Sequence, residues 1–394
     1  MNVLVLNCGS SSAKFAVIDP RTSKEHASGI AQRLHSAEAS LDWKHNGTRG
    51  SRPLPRAGHD EALRAVVALL HELSLTDDLI GVGHRVVHGG SKFSGSMAIT
   101  PEVVAKIEEC IPLGPLHNPP NLVGIKIAQE LFPDKLQVAV FDTAFHQTMP
   151  EVAYTYPVPH EWLEDLAVRR YGFHGTSHRF VAHKALEQTG LAADDHAIVT
   201  AHLGNGCSCT AVLNGRSIDT TMGLTPLEGV MMGTRSGSVD PAIVGHVSGA
   251  LKITAHQVLD ALNKKSGLLG VSGLSNDMRF IEEQAGQGHA RAALALDMFC
   301  YVLAKALASL VVPLGRLDAL VFTGGSGQNS ATVRARTVDY LKFLGLELDP
   351  AANAVHGKTQ RGRITVGTRP QALVVPTNEE LMIAIDTAEI VLRG

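Results

Sequence analysis

The 394 residues are 44% hydrophobic and 19% charged, with a formal net charge of −3. That composition excludes wholesale disorder, and the charge argues against a protein that coats nucleic acid or an anionic membrane. At ~150 residues per domain, the length suggests about two or three domains.

The chain opens with an apolar run, Asn2 to Leu6, that leads into Asn7-Cys8-Gly9-Ser10-Ser11-Ser12. No basic stretch precedes it, so no secretory signal is expected. Further short β-type runs follow, each ending in glycine or polar residues. Leu79 to Gly83 leads into His84-Arg85-Val86-Val87-His88-Gly89-Gly90, and Gln137 to Phe141 ends at Asp142-Thr143. Ala197 to Ala201 ends at His202-Leu203-Gly204-Asn205-Gly206, and Asp318 to Phe322 ends at Thr323-Gly324-Gly325-Ser326-Gly327. Ala372 to Val375 ends at Pro376-Thr377-Asn378-Glu379-Glu380. Continuous apolar strands suit a sheet buried on both faces, and ligands of open α/β sheets gather beyond the carboxyl ends of strands. Each tip is therefore either a plain turn or part of a ligand site.

Helical periodicity lies between the strands, at Glu61 to Glu72, Pro119 to Leu131, His178 to Gln188, Ala290 to Val312 and Glu379 to Leu392. The polar stretch His45 to Asp60 reads as an exposed loop or hairpin. The longest apolar stretch, near Ala306 to Leu314, is interrupted by Pro313 and Gly315 and is short of the ~20 residues that span a bilayer. A strand, a Gly/Ser turn and a second strand ending in Ile-Asp occur at Val3 to Asp19 and again at Ile198 to Asp219. This weak echo suggests two related halves. The five cysteines, Cys8, Cys110, Cys207, Cys209 and Cys300, are odd in number and scattered, which suits a reducing cytosol.

Several motifs fail. Gly357-Lys358-Thr359 lacks the first glycine and the leading strand of a P-loop, and Gly325-Ser326-Gly327 lacks the third glycine of a dinucleotide fingerprint. His174 and His178 have a zinc pair's spacing but no general-base glutamate between them. Three glycine-rich turns survive as anion cradles, around Gly9, Gly204 and Gly324, with Lys14 just beyond the first. Arg85 and Arg235 sit in glycine-flanked segments, and arginine's planar fork matches carboxylate and phosphate oxygens.

Four longer motifs carry a resemblance. They are Asn7 to Phe15 (NCGSSSAKF), Phe141 to His146 (FDTAFH), Tyr171 to His178 (YGFHGTSH) and Met222 to Gly229 (MGLTPLEG). In this order they resemble the acetokinase family, within the acetate and sugar kinase, Hsp70 and actin superfamily. The resemblance implies an α/β fold of two duplicated ribonuclease H-like (actin-like ATPase) domains with the active site in the cleft between them. Residues 1–146 plus 377–394 would form one domain and 147–376 a nucleotide-binding one. It implies reversible transfer of the ATP γ-phosphoryl group to acetate, with Mg²⁺ as cofactor (Mn²⁺ substituting), in a cytoplasmic homodimer. Propionate kinase is the alternative within this chemistry. A nucleotide-dependent relative of the actin or Hsp70 type is the alternative outside it.

By the same resemblance, Arg85 holds the acetate carboxylate, while Arg235, His174 and Asn205 attend the transferring phosphoryl group. Asp142 matches an essential acidic residue. Acetate is already ionised at neutral pH and needs no general base, so Asp142 more reasonably organises Mg²⁺, its water shell or an arginine. Asn7 and Glu379 match positions near the metal. Val87, Leu116, Phe173 and Pro226 match a methyl pocket, with His117 nearby. Ser10, Ser12, Lys14 and the run His202, Leu203, Gly204, Asn205 and Gly206 match phosphate contacts. Asp277, Met278 and Arg279, with Gly325, Ser326, Gly327, Gln328 and Asn329, match the nucleoside segments. Ser326 and Gln328 stand where many relatives carry an apolar and an acidic residue, which leaves the donor open between ATP, GTP, another nucleotide and pyrophosphate.

Overall fold

The structure, a computed structural model, describes residues 1–393. Gly394, the end of the expected 377–394 segment, lies outside them. The chain divides into two units, Met1–Gln147 with Asn378–Gly394, and Thr148–Thr377.

In the first unit the strands are β1 Asn2–Gly9, β2 Ser12–Asp19, β3 Lys24–Gln32, β4 Ser40–His45, β5 Thr48–Pro53, β6 Leu79–Val86, β7 Met97–Ala98 and β8 Leu136–Phe141. Their order in the sheet is β5-β4-β3-β2-β1-β6-β8-β7. The first apolar run is longer than its sequence signal, so Asn7 and Cys8 belong to β1 itself. The Gly9 to Ser12 turn closes a β1–β2 hairpin, with Asn7 opposite Lys14. The His45 to Asp60 stretch resolves into the β4–β5 hairpin, turning at Asn46 and Gly47, and the start of helix His59–Glu72. Leu4 and Leu6 join Leu63, Val66 and Ile127 in a core beneath helices His59–Glu72 and Asn118–Leu131. Val3 and Val5 are buried too. By the two-residue period they face the opposite side, where helix Glu379–Arg393 packs on β1, β6 and β8. Burial on both faces explains the unbroken apolar run.

The second unit has β9 Ala197–Leu203, β10 Cys207–Leu213, β11 Arg216–Thr220, β12 Ala319–Thr323 and β13 Gln371–Val374, ordered β11-β10-β9-β12-β13. Here β9 pairs antiparallel with β10 and parallel with β12, as β1 does with β2 and β6. The run β3-β2-β1-β6-β8 thus repeats as β11-β10-β9-β12-β13, with the same parallel and antiparallel senses. The internal echo is this duplication, with one correction. In the second copy Ile218-Asp219 falls on the third strand, β11, because β10 ends at Leu213. The Gly324 to Gly327 tip also differs from a plain turn: it opens a short helix, Gly324–Asn329. Gly324 has φ +76°, and a Cβ there would lie 2.8 Å from the Leu203 backbone, so glycine is required.

The apolar stretch around Ala306 to Leu314 belongs to a 25-residue helix, Ala290–Leu314, with mean hydropathy 1.8. It is long and apolar enough to cross a membrane, contrary to the sequence-based expectation, because the helix starts at Ala290, well before the apolar stretch that Pro313 and Gly315 interrupt. Its Leu296, Phe299, Leu303, Leu307 and Leu310 are buried, and it packs on β9, β10 and β11, as a core helix does.

Helix Glu379–Arg393 lies so close to β6 that a Cβ on Gly83 would sit 2.7 Å from Ile383 Cγ2 and overlap Thr387. Gly83→Ala should therefore cost about 1–3 kcal/mol through overpacking. A denaturant midpoint unchanged from wild type would refute this packing.

Candidate functional site

In the first unit, the parallel strands β6 and β8 end side by side, with Val86 opposite Phe141. Their carboxyl ends carry Arg85 and Asp142. The Asp142 amide donates to the Val86 carbonyl at 3.0 Å and carries the ladder one residue further. Arg85 Nε donates to Asp142 Oδ1 at 2.9 Å and Nη2 to Oδ2 at 2.7 Å, a two-pronged pair. Asp142 is 1% exposed. Each of its carboxylate oxygens accepts one hydrogen bond from Arg85.

Glu379 enters from the first turn of the last helix, whose start is capped by Asn378 Oδ1 accepting from the Leu381 amide at 2.9 Å. Its carboxylate lies 4.0 Å from Arg85 Nη2. Burial raises the Glu379 pKa, opposed by Arg85 and reinforced by Asp142. Burial also disfavours the Arg85 cation, but Asp142 and then Glu379 outweigh it, so the Arg85 pKa is raised.

The segment after β6 is held by two side chains that sequence reasoning missed. Asn121 Oδ1 accepts from the Val87 amide at 3.1 Å, and its Nδ2 donates to the Cys8 carbonyl at 2.7 Å. Asn118 Oδ1 accepts from the His88 amide at 3.1 Å, and its Nδ2 donates to the His88 carbonyl at 2.9 Å. The available signal was Asn118-Pro119-Pro120-Asn121, asparagines where a helix begins. Val87 is half-buried, and Leu116 is 61% exposed. His117 stands at the N-terminal cap of helix Asn118–Leu131. Ser10 is exposed at the β1–β2 turn, Ser12 opens β2, and Lys14 is exposed across from Asn7.

In the second unit, hairpin β9–β10 turns at Gly204-Asn205-Gly206. A Cβ on Gly206 would lie 3.2 Å from Arg235 Nη1 and 3.4 Å from His174 Nε2, so glycine lets both side chains reach the tip. His174 caps helix Gly175–Thr189 from a left-handed backbone, φ +55°, an uncommon state for a side-chain-bearing residue and one that clusters at functional sites. Its ring stacks on His202, with centroids 4.4 Å apart. His174 Nδ1 and His178 Nε2 both hydrogen-bond to the Ser208 hydroxyl, at 2.8 and 2.7 Å.

Arg235 Nη1 donates to the Pro226 carbonyl at 3.1 Å. Among the described residues Arg235 has no carboxylate partner, and burial lowers its pKa. An anion is what would complete it. Asn205 Oδ1 accepts from Asn276 Nδ2 at 3.1 Å, and the Asn205 carbonyl accepts from the Gly233 amide at 3.2 Å. Phe173 is buried at 2% exposure, as is Leu203 behind the hairpin.

A cleft of about 650 Å³ opens beside this hairpin within the same unit. Gly204, Asn205, Asp277, Met278, Arg279, Gly325, Ser326 and Asn329 line it, together with Asn276, Glu282 and Ser330, which the sequence reading omitted. Gly327 and Gln328 do not. They serve instead as an anchor: Arg334, fully buried, donates to their carbonyls at 2.8 and 2.9 Å. It also holds Asn353 Oδ1 and the Asn353 carbonyl, and burial brings its pKa down to about 10. Arg334 thus closes the C-terminal end of helix Gly324–Asn329, whose other end faces the cleft. Cys207 and Cys209, on the strand face opposite Ser208, are buried free thiols with raised pKa values, inert fillers rather than nucleophiles.

The model of the Acetokinase family matches residues 2–385. The chain belongs to the acetokinase family. It is 52% identical over 386 residues to the acetate kinase of Ectopseudomonas mendocina (strain ymp), covering 98% of each chain. Its structure superposes on the acetate kinase of Porphyromonas gingivalis with a TM-score of 0.92 at 43% identity, covering 99% of each. It is equally similar to a propionate kinase from Francisella tularensis subsp. tularensis SCHU S4, with a TM-score of 0.94 at 42% identity and the same coverage.

Asn121 is the side chain whose loss this geometry makes most costly to the Val87 segment. Asn121→Ala leaves the Val87 amide and the Cys8 carbonyl without their partner and should cost about 1–3 kcal/mol. Equilibrium unfolding at wild-type stability would show that the segment is held by something else.

Proposed function

We propose that this chain is an acetate kinase that transfers the γ-phosphoryl group of ATP reversibly to acetate, giving acetyl phosphate and ADP. The observation that carries the reading is that each unit holds one arginine, and that the two are differently equipped. Arg85 is held flat and forked by Asp142, as carboxylate recognition requires. Arg235, beside His174 at the Gly206 tip, has no acidic partner among the described residues. A loose phosphoryl transition state carries its charge on the equatorial oxygens, and positioned cations are what stabilise it. A binding-only relative of the actin or Hsp70 type has no use for this set.

Arg85 binds the acetate carboxylate, and Asp142 orients Arg85. Val87, Leu116, Phe173 and Pro226 receive the methyl group, with His117 nearby. A methylene more in such a pocket discriminates by only ~1–3 kcal/mol, so propionate is a poor second substrate. Arg235, His174 and Asn205 bind the transferring group, and Ser10, Ser12, Lys14, His202 and the Gly204–Gly206 turn attend the phosphates. The 650 Å³ cleft supports a nucleoside-bearing donor, because pyrophosphate would leave it without an occupant. ATP is the donor we favour.

Mg²⁺, with Mn²⁺ as substitute, is the proposed metal. Glu379 suits it: its carboxylate is near Arg85 without the two-pronged commitment that occupies Asp142. One carboxylate with Asn7 and substrate phosphates is a normal magnesium environment. The ion would neutralise phosphate charge. We further propose a cytoplasmic homodimer. Buried free thiols support the reducing compartment. Helix Ala242–Leu251 supports the dimer, since this apolar segment buries none of its residues within the chain, and Leu251 is 65% exposed.

The first test incubates the protein with ATP and Mg²⁺ and traps acyl phosphate with hydroxylamine. Acetate-dependent hydroxamate exceeding that from propionate is expected, with Arg235→Ala lowering it by about a thousandfold or more. No hydroxamate with any nucleotide, or near-normal turnover by the variant, would overturn the assignment. For the dimer, light scattering should give twice the chain mass, and Leu251→Glu should shift it towards monomer; a monomeric wild type at micromolar concentration contradicts the proposal.

A further inference from the structure

The hydrogen bonds behind His174 form a chain with one open direction. We take its start at Thr200, whose hydroxyl points to the Thr210 carbonyl at 3.4 Å, a group that can only accept. With its proton placed there, Thr200 Oγ1 accepts from His178 Nδ1, 2.7 Å away. A neutral His178 with its proton on Nδ1 has an accepting Nε2, which takes the Ser208 hydroxyl proton at 2.7 Å. Ser208 has no second proton. Towards His174 Nδ1, at 2.8 Å, it can only accept. Thr200, His178, Ser208 and Thr210 are all completely buried, so no solvent proton relaxes this order. The strands dictate the alignment. Thr200 pairs with Thr210 and His202 with Ser208 in the β9–β10 register, so all four side chains share the face under helix Gly175–Thr189.

We propose that Ser208 is a positioning residue for phosphoryl transfer: by accepting from His174 Nδ1–H it fixes that tautomer and turns Nε2 towards the tip where Arg235 Nη1 arrives. This rests on the acetate kinase reading for its consequence, though not for its chemistry. The Gly206 tip is the meeting point: the position of a Cβ there is 3.4 Å from His174 Nε2 and 3.2 Å from Arg235 Nη1. With Nδ1–H held from behind, His174 presents Nε2 either as an acceptor or, once protonated, as a donor to a phosphoryl oxygen. In the cationic form Ser208 still accepts from Nδ1, so the ring need not turn when its charge changes. The stacked His202 and the left-handed backbone at His174 hold the ring plane. Ser208 touches no substrate in this scheme and acts only through the imidazole.

The test is a tautomer measurement paired with kinetics. Protein with ¹⁵N-labelled histidine is examined without substrates by long-range ¹H–¹⁵N correlation, and the His174 signals are assigned by difference from His174→Gln. A protonated Nδ1 is expected in wild type, whether or not Nε2 is also protonated. In Ser208→Ala the His174 nitrogens should move towards averaged shifts of two exchanging tautomers. The variant's kcat for acyl phosphate formation should fall by at least about tenfold, as when another enzyme's histidine loses its orienting partner. KM for acetate and ATP should stay within about twofold, which a general loosening of the core would not give. A wild-type His174 protonated on Nε2 alone, or a Ser208→Ala variant with unaltered tautomer and turnover, would overturn the proposal. The spectrum needs no acid substrate, so failure of the relay and failure of the acetate reading are seen separately.

Discussion

The forked pair of Arg85 and Asp142 is the constraint on which the first unit's functional end is built. It exists because two parallel strands stop side by side, one ending in an arginine and the other in an aspartate. A buried ion pair of this kind is weak evidence for stability, since desolvation offsets much of the attraction. Its worth lies in geometry. An arginine whose Nε and Nη2 are both taken keeps its plane, and the rest of the guanidinium is aimed by default. Glu379 stands beside that plane and acts on its charge, while Asn118 and Asn121 fix the backbone that follows β6.

The second unit solves a complementary problem. Among the described residues its half-buried Arg235 and fully buried Arg334 both lack a carboxylate partner, and burial lowers both pKa values. Arg334 satisfies itself on carbonyls and so becomes part of the scaffold under the glycine-rich helix. Arg235 reaches one carbonyl, that of Pro226. The same residue type spends its donors on the fold in one place and keeps most of them in reserve in the other. What separates them is the supply of backbone acceptors: Arg334 meets the ending turn of a short helix and the Asn353 carbonyl, whereas Arg235 meets a hairpin tip made of glycine.

The duplicated strand order shows how much a weak sequence echo can mean. Val3 to Asp19 and Ile198 to Asp219 align as first hairpins of equivalent sheets, although the Ile-Asp match that helped suggest the relation sits on non-equivalent strands. Glycine-rich tips that look alike in sequence also diverge. Gly9 and Gly204 sit in hairpin turns, while Gly324 starts a helix, because only Gly324 follows a strand whose chain must bend back over Leu203. The helix read from the sequence as Ala290 to Val312 runs on to Leu314, through Pro313. Pro313 has no amide to give the Ser309 carbonyl, but as the penultimate helical residue it costs one such bond and has little helix beyond it to break.

The sequence by itself determined the α/β class, the principal strands and helices and the family, because each rests on local pattern or on residues contiguous in the chain. Asp142 and His174 drew notice because they stand inside family motifs, and Arg85 and Arg235 because glycines flank them. Tertiary structure alone decided which of them touch. Asp142 meets Arg85 across 57 positions, and Ser208 meets His174 across 34 and His178 across 30. Ser208 and Arg334 carried no signal because a polar residue's partner is chosen by strand register and helix placement, and neither is written in the residues beside it.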